Sequence, residues 1–212
     1  MIFFETDKYR VQFTGRDTGE DQLSAINKNL YSLKQTHSDH LVEASSQLQE
    51  GDAQWTTKIG IPLMIQTADC IPLMMYFPER DLILSIHAGW RGVMTHITSK
   101  AIVQLSLQNE THVHAYIGPH IQFQSFEVDE DVAIKILAAH QHTLSSPHCK
   151  KIGNKYFIAL AKLVEHEIRD SVNGLEQFII SSIDTKTDHR FYSYRNGDRG
   201  GRNLSFIVKR NC

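Results

Sequence analysis

Residues 59–77 read IGIPLMIQTADCIPLMMYF, two apolar runs of strand length split by the polar segment QTADC. Neither run is long enough to cross a bilayer, and each fits a strand buried on both faces. Residues 81–88, DLILSIHA, form a third such run and end at Gly-Trp-Arg-Gly. Three buried strands thus follow one another with no helix between them, which favours α+β over a doubly wound sheet. Working outward, YRVQFTG (9–15), HLVEA (40–44), HVHAYIGP (112–119), FIISSID (178–184) and LSFIV (204–208) also read as strands. A short helix is expected over residues 21–33, DQLSAINKNLYSL. From Val93 an amphipathic helix is expected, with Val93, Ile97, Ala101 and Leu105 at i+4 spacing. A second carries Val132, Ile136 and His140 behind Asp129 as N-cap. A third carries Leu160, Val164, Ile168 and Val172 and stops at Gly174.

The chain has 212 residues, and with no linker, repeat or low-complexity tract it reads as one domain over 1–212. A chain of this length buries about 70% of its unfolded surface and needs no disulfide staples. The formal net charge of −2 offers no general attraction to nucleic acid or to an acidic membrane. The three cysteines, Cys70, Cys149 and Cys212, form no CxxC pair, and an odd count argues against a disulfide framework. Cys149, in SSPHCKK, and the terminal Cys212 read as ordinary exposed thiols. The start, MIFFETDKYR, lacks the basic and apolar regions of a signal peptide. These features point to a cytoplasmic protein, and nothing in the pattern specifies an oligomeric state.

Polar side chains set into apolar strands mark the candidate site. Asp69 and Cys70 interrupt the longest hydrophobic run, His87 closes the strand LILSI, and His37 and His40 sit in Q-T-H-S-D-H just before another strand. A thiolate and two imidazoles suit zinc, and a Cys/His₂ shell leaves a fourth position open for water or substrate. The separations, 33 residues from His37 to Cys70 and 17 more to His87, form no compact motif. Two other readings stand beside a catalytic metal: Cys70 as a nucleophile activated by His87, and a closed structural zinc site with His40 or His120 as fourth ligand. Arg16, Arg91, Arg195, Arg199 and Arg202 lie beside or near glycines, where backbone can approach closely, and arginine there suits phosphate or carboxylate. Arg199 reads as solvated loop charge. A laccase needs several coppers held by many histidines; no H-x-H lies near the three candidate ligands in sequence, and His112 and His114, which form one, lie on a strand where both are expected to face solvent.

The segments Q-T-H-S-D-H-L-V, G-D-A-Q-W-T-T, T-A-D-C-I-P-L-M, H-A-G-W-R-G, I-G-P-H-I, E-V and R-F-Y-S-Y-R with G-R occur in one order from about Phe13 to Phe206. In that series the chain resembles the YfiH-like family, also called the multicopper polyphenol oxidase or laccase-domain family. Some members are described as purine nucleoside phosphorylases with adenosine deaminase activity. The resemblance implies a single α+β domain with layered mixed sheets flanked by helices, a fold also compared with cysteine hydrolases. It implies metal ligands at His37, Cys70 and His87, usually for zinc, with copper possible. It places Arg16 of FTGRDTG against phosphate; Arg91 and Arg195, as arginines near glycines, and Asp69, as a candidate proton-transfer acid, are the further phosphate or substrate candidates. The implied substrates are nucleosides, adenosine and methylthioadenosine among them, and phosphate. Here the stretch between Gly19 and Gln35 is shorter than usual for that family. His120 stands where cysteine often follows I-G-P, Asp184-Thr185 replaces a Cys-Thr pair, and Asn196 replaces the second arginine after S-Y-R.

Overall fold

The computed structural model describes residues 1–18 and 31–211. One six-stranded sheet contains β1 (Ile2–Glu5), β2 (Tyr9–Phe13), β3 (Tyr31–Lys34), β5 (Gln49–Glu50), β7 (Leu63–Thr67) and β15 (Asn203–Lys209), in the order β1-β2-β15-β7-β3-β5. A second contains β4 (Leu41–Glu43), β6 (Ala53–Thr56), β8 (Ile71–Phe77), β9 (Leu82–Ala88), β10 (Val113–Ile117) and β14 (Leu175–Ile180), in the order β14-β10-β8-β9-β6-β4. Both sheets are mixed: β3 pairs parallel with β5 and β7, β4 with β6, and β10 with β14. A small third sheet has β13 (Lys155–Ile158) between β11 (Glu127–Val128) and β12 (Cys149–Ile152). Among the described residues the α-helices are α1 (Trp90–Met94), α2 (Ile97–Gln104), α3 (Glu130–Ala139) and α4 (Leu160–Ser171).

The apolar runs of β8 and β9 follow from burial on both faces. Leu73, Met75 and Phe77 of β8 pack with Leu84 and Ile86 of β9 beneath Val93, Ile97, Ile136, Leu163 and Ile168 of the helices. The alternate residues Met74, Tyr76 and Ile83 turn to the other sheet and meet Tyr9, Val11, Leu63, Ile65 and Ile207. The architecture is α+β, with helices over one sheet and that sheet over the other.

Several expectations are corrected. The helix from Val93 to Leu105 is broken: His96 is left-handed at φ 60°, and both its ring nitrogens are satisfied there, Nδ1 against Glu167 at 3.0 Å and Nε2 against the Ala139 carbonyl at 2.9 Å. Tyr31–Leu33, the end of the expected 21–33 helix, belong to a strand; the helix's residues 21–30 lie outside the described residues, as does Cys212. Asp129 holds the N-cap position of α3 without a side-chain capping bond and pairs with Lys155 at 2.6 Å instead. His114 does not face solvent; its Nδ1 meets Tyr9 Oη at 2.5 Å. Cys149 is half-buried and packs against the core under the helices.

Candidate metal centre

The first sheet passes the chain to the second at three successive crossings. His37 lies between β3 and β4, Asp52 between β5 and β6, and Cys70 between β7 and β8. His87 completes the group from the end of β9, where the alternation of Ile83 and Ser85 aims it toward the first sheet. The donor atoms of His37, Cys70 and His87 all lie within 4.8 Å of one another. Cys70 Sγ stands 3.9 Å from His37 Nε2, and the two imidazoles meet edge to face with centroids 4.8 Å apart. Exposure grades from His37 at the surface through half-buried Cys70 to buried His87.

Asp52 is fully buried and organises this group. Its carboxylate accepts from His87 Nδ1 at 2.7 Å, from the His37 amide at 3.0 Å, and from the Ser38 amide and hydroxyl, both at 2.7 Å. Burial alone would raise its pKa; the bonds from His87 and Ser38 outweigh that and hold the carboxyl well below the usual range. Donation of Nδ1 to Asp52 leaves His87 Nε2 as the free ring nitrogen, the carboxylate–histidine arrangement that orients metal ligands. Burial pushes the Cys70 thiol up, but the imidazolium of His87 and a bond from His37 bring it down to about 6. Burial pushes His87 down, while the Cys70 thiolate and Asp52 raise it to about 9.

The residues fit a metal ion. Zinc with Zn–S of about 2.3 Å and Zn–N of about 2.0–2.1 Å puts tetrahedral donors roughly 3.4–3.6 Å apart, a small side-chain rotation from the observed spacing. Gly89 keeps the place open: a Cβ there would stand 3.0 Å from His37 Cδ2 and 3.3 Å from Cys70 Sγ. Neither His40 nor His120 joins the group. His40 Nδ1 is bonded to the Glu50 carbonyl at 3.0 Å, and buried His120 is held by the Gly118 carbonyl at 2.8 Å and by Gln122 at 3.1 Å.

The three donors line a cleft of about 620 Å³. Its apolar walls are Leu33, Trp90, Ile121, Phe126 and Tyr194, and Gln35, Gln66, Arg91, Arg195 and Arg202 supply polar contacts. Arg91 lies 4.9 Å from the Trp90 ring centroid. Arg195 donates to the Glu127 carbonyl at 2.8 Å and faces Phe126. Asp69 also lines the cleft, at φ 86°; Oδ1 accepts from Thr185 at 2.7 Å and Oδ2 from the Arg195 amide at 2.8 Å. Arg16 is not among the lining residues. Its guanidinium pairs with Asp198, donates to the Phe191 carbonyl at 3.1 Å and covers the Tyr192 ring. It thus braces the loop that carries Tyr194 and Arg195. Sequence reasoning assigned no role to Asp52; its only signal was an acid placed directly before a strand that begins buried.

The family model described as multi-copper polyphenol oxidoreductase laccase matches residues 7–210. A Clostridium acetobutylicum protein named purine nucleoside phosphorylase is 27% identical over 222 residues, covering 99% of this chain and 92% of its own. A Pseudomonas aeruginosa protein of that name is 29% identical over 177 residues, covering 82% and 72%. Among solved structures, a Neisseria meningitidis protein superposes with TM-score 0.82 at 21% identity over 99% of both chains. The Bacillus licheniformis protein YfiH superposes with TM-score 0.77 at 22% identity, covering 97% of this chain and 98% of its own.

Proposed function

Because the chain belongs to the multi-copper polyphenol oxidoreductase laccase family, whose members similar to it include proteins named purine nucleoside phosphorylase, we propose that it is a metal-dependent purine nucleoside phosphorylase. Adenosine and methylthioadenosine are its proposed nucleosides, and adenosine deamination at the same cleft is a second proposed activity. The observation that carries this reading is the convergence of His37, Cys70 and His87 on one point of a cleft walled by aromatic rings and arginines.

In phosphorolysis a phosphate oxygen bonds to ribose C1′ as the C1′–N bond breaks, and the electron pair and a proton go to the leaving purine. Trp90, half-buried in the cleft wall, offers a ring on which a purine can stack. Arg91, Arg195 and Arg202 line the cleft and offer donors to a phosphate dianion. Asp69, both of whose carboxylate oxygens are engaged by protein donors, positions the Arg195 loop, and Arg16 supports that loop from behind. A divalent ion held by the triad, zinc or copper, would supply Lewis-acid chemistry toward water or a phosphate or ribose oxygen. The test is a product screen with adenosine, inosine, guanosine and methylthioadenosine, with and without phosphate. Phosphate-dependent release of free base that scales with metal content supports the reading; no base release from any nucleoside by metal-loaded protein overturns it.

One observation favours a second reading. Cys70, His87 and Asp52 also form the nucleophile, base and orienting acid of a cysteine hydrolase. That arrangement leaves His37 without a role, whereas a metal uses all three donors. Alkylation separates the two: a metal-bound thiolate should react slowly until chelation exposes Cys70 and abolishes turnover together. Fast alkylation of Cys70 in metal-loaded, active protein, with the peptide identified by mass, is the outcome that favours the hydrolase.

A further inference from the structure

Outside the cleft, three histidines converge on a second point. His142 lies in the turn after α3, His148 directly precedes β12, and His166 belongs to α4. One ring nitrogen from each comes within 4.8 Å of the others. Ring centroids are 4.8 Å apart for His142 and His148, 4.9 Å for His148 and His166, and 6.3 Å for His142 and His166. All three side chains are half-buried.

The contrast with a neighbouring cluster is informative. His96, His140 and Glu167 also stand close together, but there the rings are committed: His96 to Glu167 and the Ala139 carbonyl, His140 Nε2 to the Val93 carbonyl at 3.0 Å. Among the described residues, the rings of His142, His148 and His166 make no hydrogen bond to any protein group. The three rings thus turn toward one another with nitrogens that no protein group engages, free to take a shared ligand. The nearby cation Lys162 is drawn onto Glu165 at 2.8 Å.

We infer that His142, His148 and His166 form a second metal site, selective for a first-row divalent ion of the zinc class, that ties the segment after α3 to α4. Three imidazoles satisfy zinc or its neighbours and leave a fourth position to solvent. M–N bonds of about 2.0–2.1 Å need nitrogens roughly 3.4 Å apart, which rotation of half-exposed rings provides. The site shares no residue with the cleft and is independent of the function proposed for it.

The test uses the Cys70→Ala chain, which lacks the thiolate of the cleft. Titration with Zn²⁺ by calorimetry should show one equivalent per chain, and the ring proton signals of His142, His148 and His166 should move together in the NMR spectrum. Adding His148→Gln and His166→Gln should weaken that equivalent by on the order of ten-fold or more. His142→Gln, a turn substitution, gives the same readout should the double change perturb the fold. Base release by the otherwise native chain carrying His148→Gln should be unchanged. No Zn²⁺ uptake by Cys70→Ala, unmoved signals of these three rings, or an equivalent that survives their substitution would overturn the inference while leaving the cleft reading intact.

Discussion

At Asp52 six donors meet one carboxylate: the amides of Thr36, His37 and Ser38, the hydroxyls of Thr36 and Ser38, and His87 Nδ1. An amide in its place would turn an NH₂ group toward donors and remove the charge that fixes the His87 tautomer. Asp52→Asn should therefore lower metal affinity by about 10–100-fold, measured by competition with a chromophoric chelator; unchanged affinity would mean that His87 is oriented by packing alone. Gly89 makes the complementary case. Its φ of −70° suits alanine, so Gly89→Ala should keep the melting temperature close to that of the parent. The new methyl group would crowd His37 and Cys70, and bound metal by elemental analysis should fall sharply. The three proposed ligands were legible in the sequence because each is a soft or imidazole donor in an otherwise apolar or strand-entry setting. Asp52 was not, since an acid in GDAQW resembles a solvated turn until its six partners, brought from two distant segments, are seen.

Elements were legible where burial is continuous, as in β8 and β9, and less so where a local interaction overrides the pattern. The i+4 series from Val93 to Leu105 holds on both sides of His96, yet the chain breaks there because the His96 ring finds two partners that a helical backbone would not offer it. The β12–β13 hairpin was missed because CKKIGNKYFI is polar; its Gly-Asn pair, with Gly153 at φ 60°, was the available turn signal. The partner of His96, Glu167 of α4, yields a pH effect at this scale. Burial pushes its carboxyl up to about 8, against weaker pulls from Ser99, Thr98 and Lys100. The unfolded chain releases that proton near its model value of 4.5, so between there and pH 8 the folded state binds more protons and stability falls as pH rises, by up to about 1.4 kcal/mol per pH unit. His140, lowered to about 4 from 6.5 by burial and by His96, acts in the opposite sense below pH 6.5. Between pH 6.5 and 8 the Glu167 effect stands alone of the two. The urea midpoint of the parent should drop more steeply across that interval than that of Glu167→Gln; parallel curves would place the titration elsewhere.

For the whole molecule, the decisive feature is where the site sits between the sheets. β3, β5 and β7 belong to the first sheet and β4, β6 and β8 to the second, and the connections between them carry His37, Asp52 and Cys70 in turn. An ion held by His37, Cys70 and His87 would therefore clasp crossings from the first sheet to a strand of the second, and its binding energy would oppose their separation. An ion at a hundred times its dissociation constant stabilises the folded state by about 2.7 kcal/mol. A domain of this size gains about 2–4 °C per kcal/mol, so loading should raise the melting temperature by about 5–10 °C. Measured in the His166→Gln chain, which removes the second proposed site, the shift should vanish with Cys70→Ala and with His37→Ala. Hydrogen exchange should localise the gain to β4 and β6, the strands that follow His37 and Asp52 into the second sheet. A nucleophilic cysteine gives none of this: metal would leave the melting temperature and the exchange of β4 and β6 unchanged, and Cys70→Ala would alter chemistry without altering any metal-linked stability.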